Sequence, residues 1–418
     1  MKFLRNYLNK IKPKFEEGGK LHAFRSLFDG FETFLYVPND TSKNGVNIHD
    51  AIDSKRIMSL VVIALVPALL FGMYNIGLQN AIAAGADTSS WFQLFLYGLV
   101  VMLPKIAVSY IVGLGIEFTV AQWKKEEIHE GFLVSGILIP MIVPVGCPLW
   151  ILAIATAFAV IFAKEVFGGT GMNIVNVALI ARAFIFFAYP SVISGDAVWV
   201  ATEPVMGLGH DVAAVLPEGV DGYTCATALS QLSNGGTEVL GAVPAEFLAK
   251  GAVIPEACEL TRNEILLGAM PGSIGETSVI AIAIGAIILL YTGVASWKVM
   301  FSVFVGGIVM ALFFDKVMPA SNAMAHVPFW QHLILGGFCF GAVFMATDPV
   351  TSARTEKGKY IYGFGIGAMA ILIRVLNPGY PEGMMLAILL MNVVAPFIDY
   401  CVVQSNVKAR AKRLTKKN

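Results

Sequence analysis

Apolar residues in this chain gather in long unbroken runs, divided by short stretches rich in Gly, Pro and charge. A helix needs about 20 apolar residues to cross a bilayer core. Runs of that order lie at Ile57–Gln79, Trp91–Ala121, Gly131–Gly146, Leu149–Ala163 and Asn176–Ile193. After a long polar interruption they resume at Glu276–Ala295, Val299–Phe314, His332–Ala346, Tyr360–Leu376 and Gly383–Val403. The pattern predicts an all-α polytopic membrane protein with about ten transmembrane helices. The run from Trp91 exceeds one upright crossing, so its helix must protrude, tilt or break.

Lys and Arg in short loops mark the cytoplasmic side. Lys55, Arg56, Lys124, Lys125, Lys164, Lys298, Arg354, Lys357 and Lys359 fall on one side of a ten-helix tracing, as does the basic tail beyond Val407; only Lys316 breaks the pattern. Both termini are therefore expected in the cytoplasm. The tracing divides into a cytoplasmic arm (1–54), a five-helix half (55–193), an extracytoplasmic loop (194–264), a second half (265–403) and a basic tail (404–418). Halves with an odd helix count would have opposite topology, so two inverted five-helix repeats are expected. GFLVSGIL from Gly131 and GFCFGAVF from Gly337, in the third helix of each half, give faint support.

Composition agrees: 56% of the 418 residues are apolar and 14% charged, against about a quarter charged in soluble domains. A net charge of 0 offers no array for nucleic acid. The five cysteines are dispersed without a CxxC, which argues against a cluster or structural zinc built by this chain alone. The N-terminal segment lacks an uninterrupted apolar stretch and reads as an amphipathic arm rather than a signal peptide.

Ser194–Thr261 carries nine acidic residues and one Lys, yet its middle, VDGYTCATALSQLSNGG, is not simply polar. Within it, Asp221, Gly222, Tyr223, Thr224, Cys225, Ala226 and Thr227 match the recognition sequence of flavin transferases: Asp, two residues, Ser or Thr, any residue, Ala, acceptor Thr. KEVFGGTGMN (164–173), RAFIFFAYP (182–190), PGSIGETS (271–278), DPVTS (348–352), KGKYIYG (357–363), RVLNPGYPEGMMLAILLMN (374–392) and APFIDY (395–400) extend the likeness. From about Asp53 to the basic tail the chain resembles the family that contains the B subunit of the sodium-pumping NADH:quinone oxidoreductase and, more distantly, the D subunit of Rnf complexes.

That resemblance implies FMN held by a phosphoester to Thr227, with Asp221, Gly222, Thr224 and Ala226 as the motif read by a periplasmic flavin transferase. It implies a second, non-covalent flavin, riboflavin, with ubiquinone or menaquinone as electron acceptor and Na⁺ as transported cation. The partners implied are the other subunits of a six-subunit enzyme, among them a second covalent-FMN subunit and an NADH- and iron–sulfur-binding subunit. This chain has no NADH fingerprint, so it is not expected to be active alone, and no catalytic residue is assigned within it. Cys225 stands at the motif's free position, where Gly is the more frequent residue, and its thiol offers a cysteinyl flavin as an alternative linkage.

FGGTG (167–171) lacks the features of a phosphate loop and reads as a helix break, with LGAMPGSIGE (267–276) as its counterpart in the second half. Lys105, Glu117, Arg182, Arg374 and Asp399 are ionisable residues within apolar runs, where charge is costly and points either to function or to mutual pairing. Asp399, in APFIDY near the cytoplasmic end of the last run, is the candidate Na⁺ ligand. Two alternatives stand: an Rnf-like ferredoxin:NAD oxidoreductase subunit, or a passive channel or secondary transporter with inverted repeats.

Overall fold

A computed structural model of the chain describes residues 10–15, 28, 54–124, 131–194, 199–215, 226–233, 262–319, 322–377 and 379–415. The main helices are α1 (Ser54–Ala83), α2 (Trp91–Lys124), α3 (Phe132–Met141), α4 (Leu149–Ala159), α5 (Val177–Ala188), α6 (Ala228–Ser233), α7 (Val279–Tyr291), α8 (Trp297–Val317), α9 (Phe329–Ile334), α10 (Glu356–Leu376) and α11 (Met384–Thr415). Among the described residues six helices are long and apolar enough to cross a membrane, and α3, α5 and α7 are shorter apolar helices. The chain is thus an all-α, multi-span membrane protein. Helix α2, at 34 residues, is about 50 Å long at ~1.5 Å per residue, well beyond a hydrocarbon core of about 30 Å. It protrudes or tilts and does not break.

Two of the apolar runs are broken in mid-course, and Asn176–Ile193 breaks near its end at Tyr189. The run from Gly131 is helical only to Met141 and then passes through turns to the start of α4, because Pro144 and Pro148 cannot continue the ladder. The run from His332 is split into α9, a bend at Gly336 (φ +64°), one helical turn at Phe338–Phe340 and a π-helical turn at Gly341–Met345. Helix α4 likewise passes into a π-helical turn, Val160–Lys164, before positive φ at Gly168, Gly169 and Gly171 ends it. The FGGTG segment is therefore a helix break, as expected. At the other end of the chain α11 carries on through the basic tail to Thr415.

Close backbone approach fixes the helix pairs. A Cβ on Gly98 of α2 would lie 1.7 Å from the Met73 carbonyl oxygen of α1, and one on Gly367 of α10 would lie 2.0 Å from that of Val303 of α8. No side chain fits there, so the backbones pack directly, as membrane helices do where small residues line the seam. The order of contacts also gives direction. Gly363 meets Val299 and Gly367 meets Val303, so α8 and α10 run parallel. Gly285 meets Ala64 whereas Ile274, just before α7, meets Gly72, so α1 and α7 run antiparallel.

One end of the bundle collects the polar segment that follows α5. Asn80 donates to the carbonyls of Ala201 (2.8 Å) and His210 (2.9 Å), and Tyr97 Oη donates to that of Glu203 (2.7 Å). The opposite end collects basic loops: Lys124 pairs with Glu165 at 3.6 Å, and both Lys298 and Lys359 pair with Glu356. Lys164, counted above as a loop charge, is buried there in an ion pair with Glu117.

Candidate functional site

The site is assembled at the end of the bundle that carries residues 199–215. Its floor is the turn between Leu267 and α7. Asn75 of α1 donates to the Met270 carbonyl (2.9 Å), and the Gly275 N–H donates to the Met141 carbonyl (2.9 Å), an acceptor left open where α3 stops. The turn thereby docks the second half of the chain onto the unfinished helix of the first.

Above the floor lies a charge cluster drawn from three segments distant in sequence. Arg182 of α5 pairs with Glu276 (2.6 Å) and with Glu382, which precedes α11. Tyr380 Oη lies 3.4 Å from the Glu382 carboxylate. Arg374, 1% exposed, donates to the carbonyls of His332 (2.6 Å), Leu335 (3.3 Å) and Glu382 (3.2 Å). Two guanidinium groups balance two carboxylates, which is the condition for keeping such charges away from water.

Thr227 is seated on this cluster. It is 9% exposed, and its Oγ1 accepts from the Ser230 N–H (3.3 Å), capping the start of α6. Leu229 fills the space a side chain would need at Gly336, which anchors α6 beside the bend ahead of Phe338. A cavity of about 20 Å³ opens between Thr227, Gly272, Ser273, Glu276, Thr277 and Glu382. Ala226 is also described; Asp221, Gly222, Thr224 and Cys225 lie outside the described residues. The cavity suits one small polar group, not a tricyclic ring. A phosphoester on Thr227 would therefore put only its phosphoryl end here, with Thr227 Oγ1 as the bridging oxygen and the Ser273 and Thr277 hydroxyls beside it.

A second cavity, of about 90 Å³, lies toward the opposite end, where both π-helical turns lead: Lys164, Asn173, Asn176, Phe344, Thr347 and Asp348 contribute to its wall. Burial raises the Asp348 carboxyl above its ordinary range, against hydrogen bonds from Val350 N–H and Thr351 Oγ1, both 3.0 Å, that work the other way. Asp399 lies at that same end, half-buried, and accepts from the N–H groups of Arg354 (2.8 Å) and Thr355 (3.0 Å) and from Thr355 Oγ1.

Of the ionisable residues singled out in the sequence, Glu117, Arg182, Arg374 and Lys105 all have partners. Lys105 Nζ donates to the carbonyls of Pro144 (3.2 Å), Val145 and Cys147 (3.1 Å). Sequence reasoning misses Glu276, Thr277, Tyr380 and Glu382. Their signal is nonetheless present, since each sits in a Gly- and Pro-rich polar segment abutting an apolar run.

The family profile described as "NQR2, RnfD, RnfE family" matches residues 41–408, which is most of the chain. The chain belongs to that family. It is 42% identical to the B subunit of the Na(+)-translocating NADH-quinone reductase of Chromohalobacter salexigens, over 98% of this chain and 96% of that protein. The protein of the same name from Klebsiella pneumoniae is 42% identical over 98% of this chain and 99% of its own length. The one from Pseudomonas aeruginosa is 40% identical over the same shares, 98% and 99%. The segments around Thr227 that meet in space, PGSIGETS, RAFIFFAYP and NPGYPEG, are among those that carry the family resemblance.

Proposed function

We propose that this chain is the membrane subunit of a sodium-translocating NADH:quinone oxidoreductase in a bacterial inner membrane, and that it bears FMN on Thr227 through a phosphoester. The observation that carries the reading is the convergence of Thr227 with Glu276, Arg182 and Glu382 in one seat at the end of the bundle. In a transporter with an accidental motif, Thr227 would have no reason to be docked on segments of that family. When bound, the flavin supplies one- and two-electron chemistry, and the protein supplies position and electrostatics. Here Arg182 ties the turn before α7 to the turn before α11, Thr227 presents its oxygen at the cavity, and α6 seals the seat against bulk water.

Only an edge of the riboflavin ring is placed at the larger cavity, whose volume of about 90 Å³ is lined by amides, a hydroxyl and a carboxylate that suit the polar side of an isoalloxazine, with Phe344 beside them. The two flavin sites then lie toward opposite ends of the bundle. Electrons reach the chain at the extracytoplasmic end from another subunit and pass through it to ubiquinone or menaquinone, with Na⁺ exported. Asp399 remains the proposed cation ligand at the cytoplasmic end. The ten-helix, inverted arrangement is proposed on the antiparallel run of α1 and α7 and the parallel run of α8 and α10, with the broken segment from α9 to Met345 as the eighth crossing.

The deciding experiment is peptide mapping of the purified chain. The peptide spanning Asp221–Gln231 should be heavier by FMN less one water, and the band fluorescent under ultraviolet light in a denaturing gel. Thr227→Ala should abolish both while the protein still inserts, and Thr227→Ser should give partial or no modification. Flavin mapped to Cys225, or an unmodified peptide from cells that hold the transferase, overturns the assignment.

A further inference from the structure

The small cavity beside Thr227 is lined by a residue whose buried polar atom the fold itself leaves unused. Thr277 is 2% exposed, and its Oγ1 has no hydrogen-bond partner among the described residues. A buried hydroxyl without a partner is costly, so it persists where something else engages it. Thr277 lines the cavity together with Thr227 and immediately precedes Ser278, the N-cap of the 13-residue helix α7. The start of a helix carries a partial positive charge of about half a unit and favours anions. Arg182 adds a full positive charge beside Glu276, and its Nε is likewise buried without a partner among the described residues.

We propose that Thr277, with the start of α7, forms the seat for the phosphodiester of the Thr227-linked flavin, Thr277 Oγ1 donating to a non-bridging phosphoryl oxygen. The proposal rests on the reading that Thr227 carries that phosphoester. The volume, about 20 Å³, accommodates one such oxygen and keeps the ring system outside. Two carboxylates, Glu276 and Glu382, also line the cavity and would repel an anion. Both are already engaged by Arg182, and Arg374 lies against the Glu382 backbone, so the cluster without the flavin carries no net charge. The phosphodiester monoanion then meets a compensated cluster, one hydroxyl donor and a helix start.

The test compares the full-length chain, purified in detergent, from cells with and without the flavin transferase. Thr277→Val replaces the hydroxyl by a methyl of similar size. In the unmodified chain it removes only an unsatisfied polar atom, so the melting temperature should stay level or rise. In the flavinylated chain it removes a donor to the phosphodiester, so the melting temperature should fall by a few degrees and the ³¹P resonance of the diester should shift. Thr277→Ser keeps the donor and should behave as the wild type, and Thr277→Ala, as a second truncation, should repeat the opposite signs. Equal melting changes in the two forms, or a ³¹P resonance indifferent to Thr277, would overturn the proposal. Mass mapping separates the layers: absence of flavin on Thr227 itself defeats the underlying reading, whereas flavin on Thr227 with no sign reversal defeats the seat alone.

Discussion

Asp399 shows how much of a carboxylate's capacity the fold consumes before any ligand arrives. Its two oxygens offer about four acceptor positions, and three are filled by Arg354 N–H, Thr355 N–H and Thr355 Oγ1. Thr355 is in turn the N-cap of α10. The residue therefore anchors the start of one helix to the side of another and keeps about one position for a cation, whose remaining ligands would have to be carbonyls or water. Asp399→Asn turns an acceptor-only group into one that is half donor and so disturbs both tasks. The expected outcome is impaired Na⁺-dependent turnover with covalent flavin content unchanged, and a stability loss of about 1 kcal/mol from the weakened cap. Turnover titrated against Na⁺, beside flavin fluorescence of the same preparation, checks this; unchanged sodium activation would remove Asp399 from the cation path.

Broken helices are the costly elements of this fold, because lipid offers no partner for the carbonyls they leave open. Each of the two long breaks is closed by a buried cation from a neighbouring helix: Lys105 for the segment after α3, and Arg374 for the bend after α9. Lys105→Met keeps length and apolar bulk but takes the donor from the Val145 and Cys147 carbonyls, while that of Pro144 keeps the Cys147 N–H, and should cost about 2 kcal/mol; thermal unfolding in detergent measures it. Lys105→Arg, which restores donors, should recover part of the loss. If Lys105→Met melts with the wild type, water or another group satisfies those carbonyls. Hydropathy could not reveal these breaks, since Ile142, Val143 and Val145 are as apolar as any helix interior and the scale measures transfer, not hydrogen bonding. The prolines at 140, 144 and 148 were the legible sign. The same division holds at the site. Thr227 stood out because its motif is contiguous, whereas Glu276, Thr277 and Glu382 acquire meaning only when the turn before α7 meets Arg182 and the start of α11.

Two independent lines support the proposed seating of the bundle in the membrane. The structure gathers Lys124, Lys298, Arg354 and Lys359 at one end, and the Asp- and Glu-bearing segment 199–215 packs on Asn80 and Tyr97 at the other. Such an asymmetry in Lys and Arg sets orientation through short loops, and the proposed cytoplasmic placement of the basic end rests on it. Helix direction is the second line. Antiparallel α1 and α7 require an even number of crossings between them, and the four segments α2 to α5 supply it only if the short α3 and the turns that follow it together count as one. Single cysteines placed in a chain lacking the five native ones test both lines at once. A probe replacing Glu218, in the segment between α5 and α6, should react with an impermeant maleimide in intact cells whose outer membrane admits the reagent. Probes replacing Trp123 at the end of α2 and Arg410 in the extension of α11 should react only after the inner membrane is opened. A Glu218 probe that reacts only after opening would invert the orientation. A Trp123 probe exposed together with Glu218 would instead break the count, because it would place both ends of the α3–α5 segment on one side of the membrane.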